Sequence, residues 1–194
     1  MPLSEPSESR ALLHRRDIQL RGFQRADGLF DVEAELADTK TYGFSNQDRG
    51  WIAPDEKLHH MRARMTLDED MVILAFEAVT EAGPYTICPQ AAPNFARLAG
   101  LRIGRGFLKA ANERVGGTMG CTHLRELLQP MATVAFQTLY AVRVKRQAAP
   151  NAEATAEGDA QAPKAKPPLL GTCLAYAPDS PVVKRNWPHA YTGP

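Results

Sequence analysis

The chain of 194 residues predicts an α+β domain: a small antiparallel β-sheet with helices packed on one face, an added N-terminal hairpin and a C-terminal tail. Two observations carry this. The first half holds paired runs in which apolar and polar residues alternate across short turns, the pattern of hairpins with one wet face. The second half carries apolar residues at helical spacing, the longest stripe running from Thr122 to about Lys145.

Residues 1–10 are polar, hold two prolines and read as a flexible arm. A single domain then spans 11–146. Its first strand has Ile18 and Leu20 alternating with Gln19 and Arg21, and Arg25-Ala26-Asp27-Gly28 supplies an Asp-Gly turn. From Leu29 to Thr41, Phe30, Val32, Ala34 and Leu36 face one way and Asp31, Glu33 and Glu35 the other. Asp38-Thr39-Lys40 stands at the end of that strand, where a loop or a site begins. Residues 45–57 form a polar connection. A second hairpin follows: Met61, Ala63, Met65 and Leu67 alternate with Arg62, Arg64 and Thr66, Asp68-Glu69-Asp70 turns, and Met71 to Val79 returns. His60 points opposite to His59 and is assigned to the surface. The Arg62/Arg64 pair suits a carboxylate or phosphate, or simply a solvated face.

After Gly83-Pro84, Cys88 stands where a strand hands over to a helix. Pro89 suits a first helical position, and Gly100 suits the stop of a helix over 89–99. A second short helix covers about 106–115. Gly116, Gly117 and Gly120 then free the backbone before Cys121. Thr122 is the predicted N-cap of the long helix, which Pro130 should kink. From 147 to 168 the composition shifts to Ala, Pro, Glu and Lys, a disordered linker. Residues 169–194 regain apolar and aromatic character and are predicted to pack back on the domain.

With 23 basic and 22 acidic residues the net charge is +1, which argues for neither nucleic acid nor an anionic membrane as a partner. The N-terminus has no apolar h-region, so no signal peptide is predicted, and no run of about 18 apolar residues predicts a membrane span. Three widely spaced cysteines do not form a disulfide framework, which points to a reducing cytoplasm. A small-molecule substrate fits this profile, and homo-oligomerisation stays open.

Cys88 and Cys121 each precede a predicted helix, where a thiol ionises more readily. If strand ends and helix starts converge, His59, Cys88, Cys121 and His123 supply four ligands suited to zinc or iron. Asp38 or Lys40 would then transfer protons, and Cys121 and His123 would belong to the catalytic set. A thiol enzyme, with Cys121 activated by a histidine, needs no metal. Buried cysteines with no chemistry are the plain alternative. Gly100-Leu101-Arg102-Ile103-Gly104-Arg105-Gly106 fits neither the dinucleotide fingerprint nor the P-loop.

Several separated motifs carry a resemblance. They are His14-Arg15-Arg16, Arg25 to Glu33, Asp38-Thr39-Lys40, His59-His60-Met61, Cys88-Pro89, Gly120-Cys121-Thr122-His123-Leu124 and Thr172-Cys173. Through them the chain outside the linker resembles a family of uncharacterised bacterial proteins, domain of unknown function 2889. That family tends to place histidine after the last cysteine, where this chain has Leu174. The layout also resembles the NifU/SufE-type iron–sulfur scaffold, whose ligands come from the hairpin start, the strand-to-helix loop and the start of the last long helix. His59, Cys88, Cys121 and His123 stand at those places, with histidine where the scaffold has its first cysteine.

The leading expectation is a cytoplasmic enzyme acting on a small organic molecule at this Cys/His site, with a metal-dependent lyase or hydrolase as the reaction classes considered. A metal-binding or iron–sulfur scaffold using the same four residues is one alternative. A metal-free thiol or acid–base enzyme is the other.

Overall fold

A computed structural model describes residues 2–148, 167 and 169–194. The chain divides into two compact units, Met1–Pro150 and Asn151–Pro194.

The larger unit is built on β1 (His14–Gln24), β2 (Phe30–Lys40), β5 (His59–Leu67) and β6 (Ile73–Ala82), one antiparallel sheet in the order β1-β2-β5-β6. The α+β fold expected of the sequence is therefore the fold observed. Asp27 shapes the first turn: its Oδ1 accepts from Leu29 N at 3.3 Å, Arg25 N donates to Leu29 O at 2.8 Å, and Gly28 takes φ +88°. That turn fixes the β1–β2 register, which runs from Gln24 opposite Phe30 to His14 opposite Lys40.

Strand β2 alternates as its sequence requires, with Phe30, Val32, Ala34 and Leu36 in the core. Met61, Ala63, Met65 and Leu67 join them from β5. Over this face lies α2 (Thr122–Ala148), which contributes Leu124, Leu127, Leu128, Met131, Ala135 and Leu139. Each large side chain so buried stabilises by about 2 kcal/mol. The helix runs without interruption through Pro130. It approaches β1 closely at Gly22, where a Cβ would fall 1.9 Å from Thr138 Oγ1.

Three local expectations are corrected, and the second short helix stands where the sequence sets it. The segment Cys88–Leu98 is a 3₁₀ helix, because Pro89 and Pro93 lack the N–H groups an α-helical ladder needs. The polar connection contains a small second sheet of β3 (Phe44–Asn46) and β4 (Gly50–Ile52). Asn46 Oδ1 folds its turn by accepting from Asp48 N and Arg49 N, each at 3.0 Å. The second helix, α1 (Phe107–Val115), begins after Gly106. Finally, His60 does lie on the sheet face opposite His59, but it is 6% exposed. Its Nε2 and Nδ1 are each 2.6 Å from a carboxylate, of Glu35 and Glu81, and Lys57 Nζ is 3.0 Å from Nε2. On the same outer face Arg64 pairs with Glu77 and Arg62 with Glu81, so these arginines already have acidic partners.

Within the smaller unit, α3 (Pro181–Asn186) is capped by Ser180, whose Oγ accepts from Val183 N at 3.1 Å. The Tyr176 and Trp187 rings meet at a tilt of 40°, with centroids 5.4 Å apart. The linker expected over 147–168 lies largely outside the described residues, and its first two residues belong to the end of α2.

Candidate functional site

Asp38 holds the parity of the β2 core face, two residues beyond Leu36, and is 1% exposed. A carboxylate so placed needs partners, since burying an unpaired charge costs on the order of several kcal/mol. The sheet register supplies them. Arg16 on β1 and His59 on β5 are the direct cross-strand neighbours of Asp38. Arg16 grips the carboxylate with both arms, Nε to Oδ1 at 2.7 Å and an Nη to Oδ2 at 2.6 Å, the bidentate fork that planar guanidinium favours. His59 Nδ1 lies 3.0 Å from Oδ2. His14, two residues before Arg16 on the same face of β1, brings Nε2 to 3.4 Å from Oδ1.

The first turn of α2 closes the group from above. His123 Nε2 is 3.7 Å from Asp38 Oδ2, and its ring stacks on that of His59 with centroids 3.8 Å apart. Glu126, one turn further along α2, pairs with the remaining arm of Arg16. Arg16 therefore ties β1, β2 and α2 together at one point.

Cys121 immediately precedes α2. Its carbonyl accepts the first helical bond from Arg125 N at 3.0 Å, so Cys121 takes the capping place that the sequence suggests for Thr122. Its Sγ is 3.8 Å from His123 Nδ1. The glycines before it serve two purposes. Only Gly117 adopts positive φ, at +56°. Gly120 is extended, and a Cβ there would sit 1.9 Å from the Val115 carbonyl oxygen, so glycine is required by close backbone approach.

The charge states follow from these contacts. Burial pushes the Asp38 carboxyl up, but the hydrogen bonds and charge of Arg16, with help from His59 and His14, hold it below the usual carboxylate range. His59 is lowered, chiefly by burial and then by His123, against the pull of Asp38. A neutral His59 donates Nδ1–H to Asp38 and keeps a lone pair on Nε2. Burial raises the Cys121 thiol, yet the His123 contact and the N–H groups of Leu124 and His123 bring it below its ordinary value.

Asp38, His59 and His123 each offer one ligand atom, and these atoms all lie within 4.8 Å of one another. Among the described residues this is the group of three that can hold a metal ion. Of the residues the sequence singles out, the structure thus brings together Asp38, His59 and His123, with Cys121 beside them. Cys88 falls outside that group; it opens the 3₁₀ segment, where its Cβ lies 2.8 Å from the place a Cβ on Gly83 would take. Lys40 turns toward Tyr42, with Nζ 5.4 Å from the ring centroid. Cys173 is exposed in the smaller unit.

Sequence reasoning missed Arg16, His14 and Glu126. The signal for Arg16 was present: counting back along both strands from the Arg25–Gly28 turn sets Arg16 opposite Asp38. Continuing the β2 alternation past Leu36 likewise places Asp38 on the core face.

Fold and site together define an α+β protein with a partly buried His/Asp cluster able to take a metal ion. The chain belongs to the family described as protein of unknown function DUF2889, whose model matches residues 14–137. That span runs from β1 into α2 and contains Asp38, His59, Cys121 and His123. No curated protein and no solved structure matches the chain.

Proposed function

We propose that the chain binds a divalent transition-metal ion, zinc or iron, through Asp38, His59 and His123, and acts there as a cytoplasmic enzyme on a small organic molecule. The observation that carries this is the mutual approach of one carboxylate and two imidazoles within 4.8 Å at the end of the sheet. Two nitrogen donors and one oxygen donor are a set that both ions accept. Arg16 suits such a site, since a ligating carboxylate is commonly oriented by a further hydrogen bond. A bound ion would polarise a substrate oxygen or lower the pKa of water. The chain's own groups do the remaining work. Arg16 keeps Asp38 ionised and oriented, burial favours neutral His59, and Cys121 lies near enough to His123 to exchange a proton with its imidazole. The free thiols of Cys88, Cys121 and Cys173 agree with a reducing compartment. Among the described residues no helix is long and apolar enough to cross a membrane.

This reading is preferred to an iron–sulfur scaffold because clusters are held by thiolates, and here a carboxylate takes the place of the cysteines. A second reading rests on a different observation: Cys121, His123 and Asp38 form a chain with separations of 3.8 and 3.7 Å. A thiol, an imidazole and an orienting carboxylate in that order constitute a nucleophile and its base, with looser contacts than a substrate complex would show.

Elemental mass spectrometry on untagged, chelator-free protein separates the two. Zinc or iron near one equivalent, lost in His59→Ala and His123→Ala and retained in Cys88→Ser, is the expected result. Absence of metal from the wild type, also after anaerobic reconstitution, overturns the metal reading and leaves the thiol chain.

A further inference from the structure

On the solvent side of α1 and α2 two cavities adjoin, sharing Leu108 and Gln129. The first, about 460 Å³, is mainly apolar, lined by Ile103, Phe107, Leu108, Ala132 and Phe136. Next to it Gly104 and Gly106 have open space where a Cβ would stand, and Leu108 is left exposed. The second cavity, about 380 Å³, lies at the start of α2 and has the polar side chains of Asn112, Thr122 and Arg125 in its wall beside Leu108 and Leu128.

The charge in this groove is unbalanced. Arg125 is half-buried, yet among the described residues its guanidinium has neither a hydrogen bond nor an ion pair. Lys109, lining the apolar cavity, is likewise unpaired among them. The acidic residue in the wall is Glu126, and it is committed to Arg16. A partly desolvated guanidinium without an acidic partner favours an incoming carboxylate, which it binds by a planar fork. The neighbouring apolar trough favours a hydrocarbon chain.

We propose that the α1–α2 groove binds a small amphipathic carboxylate, its anionic head at Arg125 and its chain along Leu108, Phe107, Ala132 and Phe136. The head lies against hydrogen-bonding side chains of Asn112 and Thr122, and the chain covers the exposed Leu108. This site is distinct from the His/Asp cluster: residues 122, 125 and 129 share a face of α2 that His123 does not.

Calorimetric titration of the full chain with decanoate tests the proposal, with decanol as the uncharged probe of equal length. The variants are Arg125→Gln, which removes the charge, and Ala132→Phe, which fills the trough. Circular dichroism confirms that both fold. The expected result is decanoate binding that weakens at least about tenfold in Arg125→Gln, the factor typical of a lost charge-assisted hydrogen bond. Decanol should bind at least about tenfold more weakly than decanoate, and Ala132→Phe should weaken both. No decanoate binding by the wild type overturns the proposal. So does binding that Arg125→Gln or Ala132→Phe leaves unchanged. A groove closed by a second copy of the chain, seen as a doubled mass in light scattering that decanoate does not alter, overturns it as well. Zinc-loaded and metal-free protein should give the same titration, so that failure here is separable from failure of the metal site.

Discussion

Arg16 supplies two hydrogen bonds to a carboxylate that solvent hardly reaches. Arg16→Ala removes the guanidinium and leaves the buried charge with only the imidazoles of His59 and His14, a loss of about 3 kcal/mol at neutral pH. The pH dependence has a definite sign. Asp38 titrates lower in the folded chain than in the unfolded one, so as pH falls the unfolded state takes up the proton first. The contribution of the Arg16–Asp38 pair is therefore whole above the ordinary carboxylate range and is lost as pH falls through the folded value. Urea denaturation at neutral pH and at successively more acid values should show wild type and Arg16→Ala converging. A gap that persists into acid would mean that Arg16 acts by packing alone. His60 teaches the complementary lesson at this scale: a polar residue on the wet face was still enclosed, because Glu35 and Glu81 close over it from both neighbouring strands.

At the scale of elements, the site depends on how the chain enters α2. Gly120 lies against the Val115 carbonyl, and this contact sets where Cys121 and His123 begin. Gly120→Ala forces the two segments apart at a cost of about 2 kcal/mol, in the range of overpacking. It should also weaken zinc binding, which calorimetry on the variant reads directly; unchanged affinity would show that the α2 entry does not position His123. The two hairpins were legible because alternation has a period of two and the turn residues are local. The 3₁₀ segment was read as an ordinary helix because Pro89 suits a helix start and Gly100 a helix stop, while Pro93 inside it, which lacks the N–H of an α-helical ladder, was not weighed.

For the whole molecule, a ligand that binds only the folded state raises its stability by mass action, about 2.7 kcal/mol at a hundredfold excess over Kd. Zinc should therefore raise the Tm of the wild type in a concentration-dependent way and leave that of His59→Ala unchanged. A shift of equal size in both would place the ion elsewhere.

By itself the sequence determined the sheet-and-helix class, the β1–β2 hairpin, the residues that line the core and the individual candidates Asp38, His59, Cys121 and His123. The class, the hairpin and the core follow from short-range periodicity and turn chemistry; the candidates, Lys40 and Cys88 among them, followed from residue type and from their places at strand ends and helix starts. Which candidates meet was decided only by tertiary structure. Asp38 faces His59 through the pairing of β2 with β5, two strands separated in sequence by the whole 41–58 segment, and no local pattern records that register. His123 reaches them because α2 lies across the core face, whereas Cys88 opens the 3₁₀ segment that follows β6 and stays outside the group. Local propensity specifies what each segment becomes; the contacts between distant segments, set by burial of a shared core, specify the site.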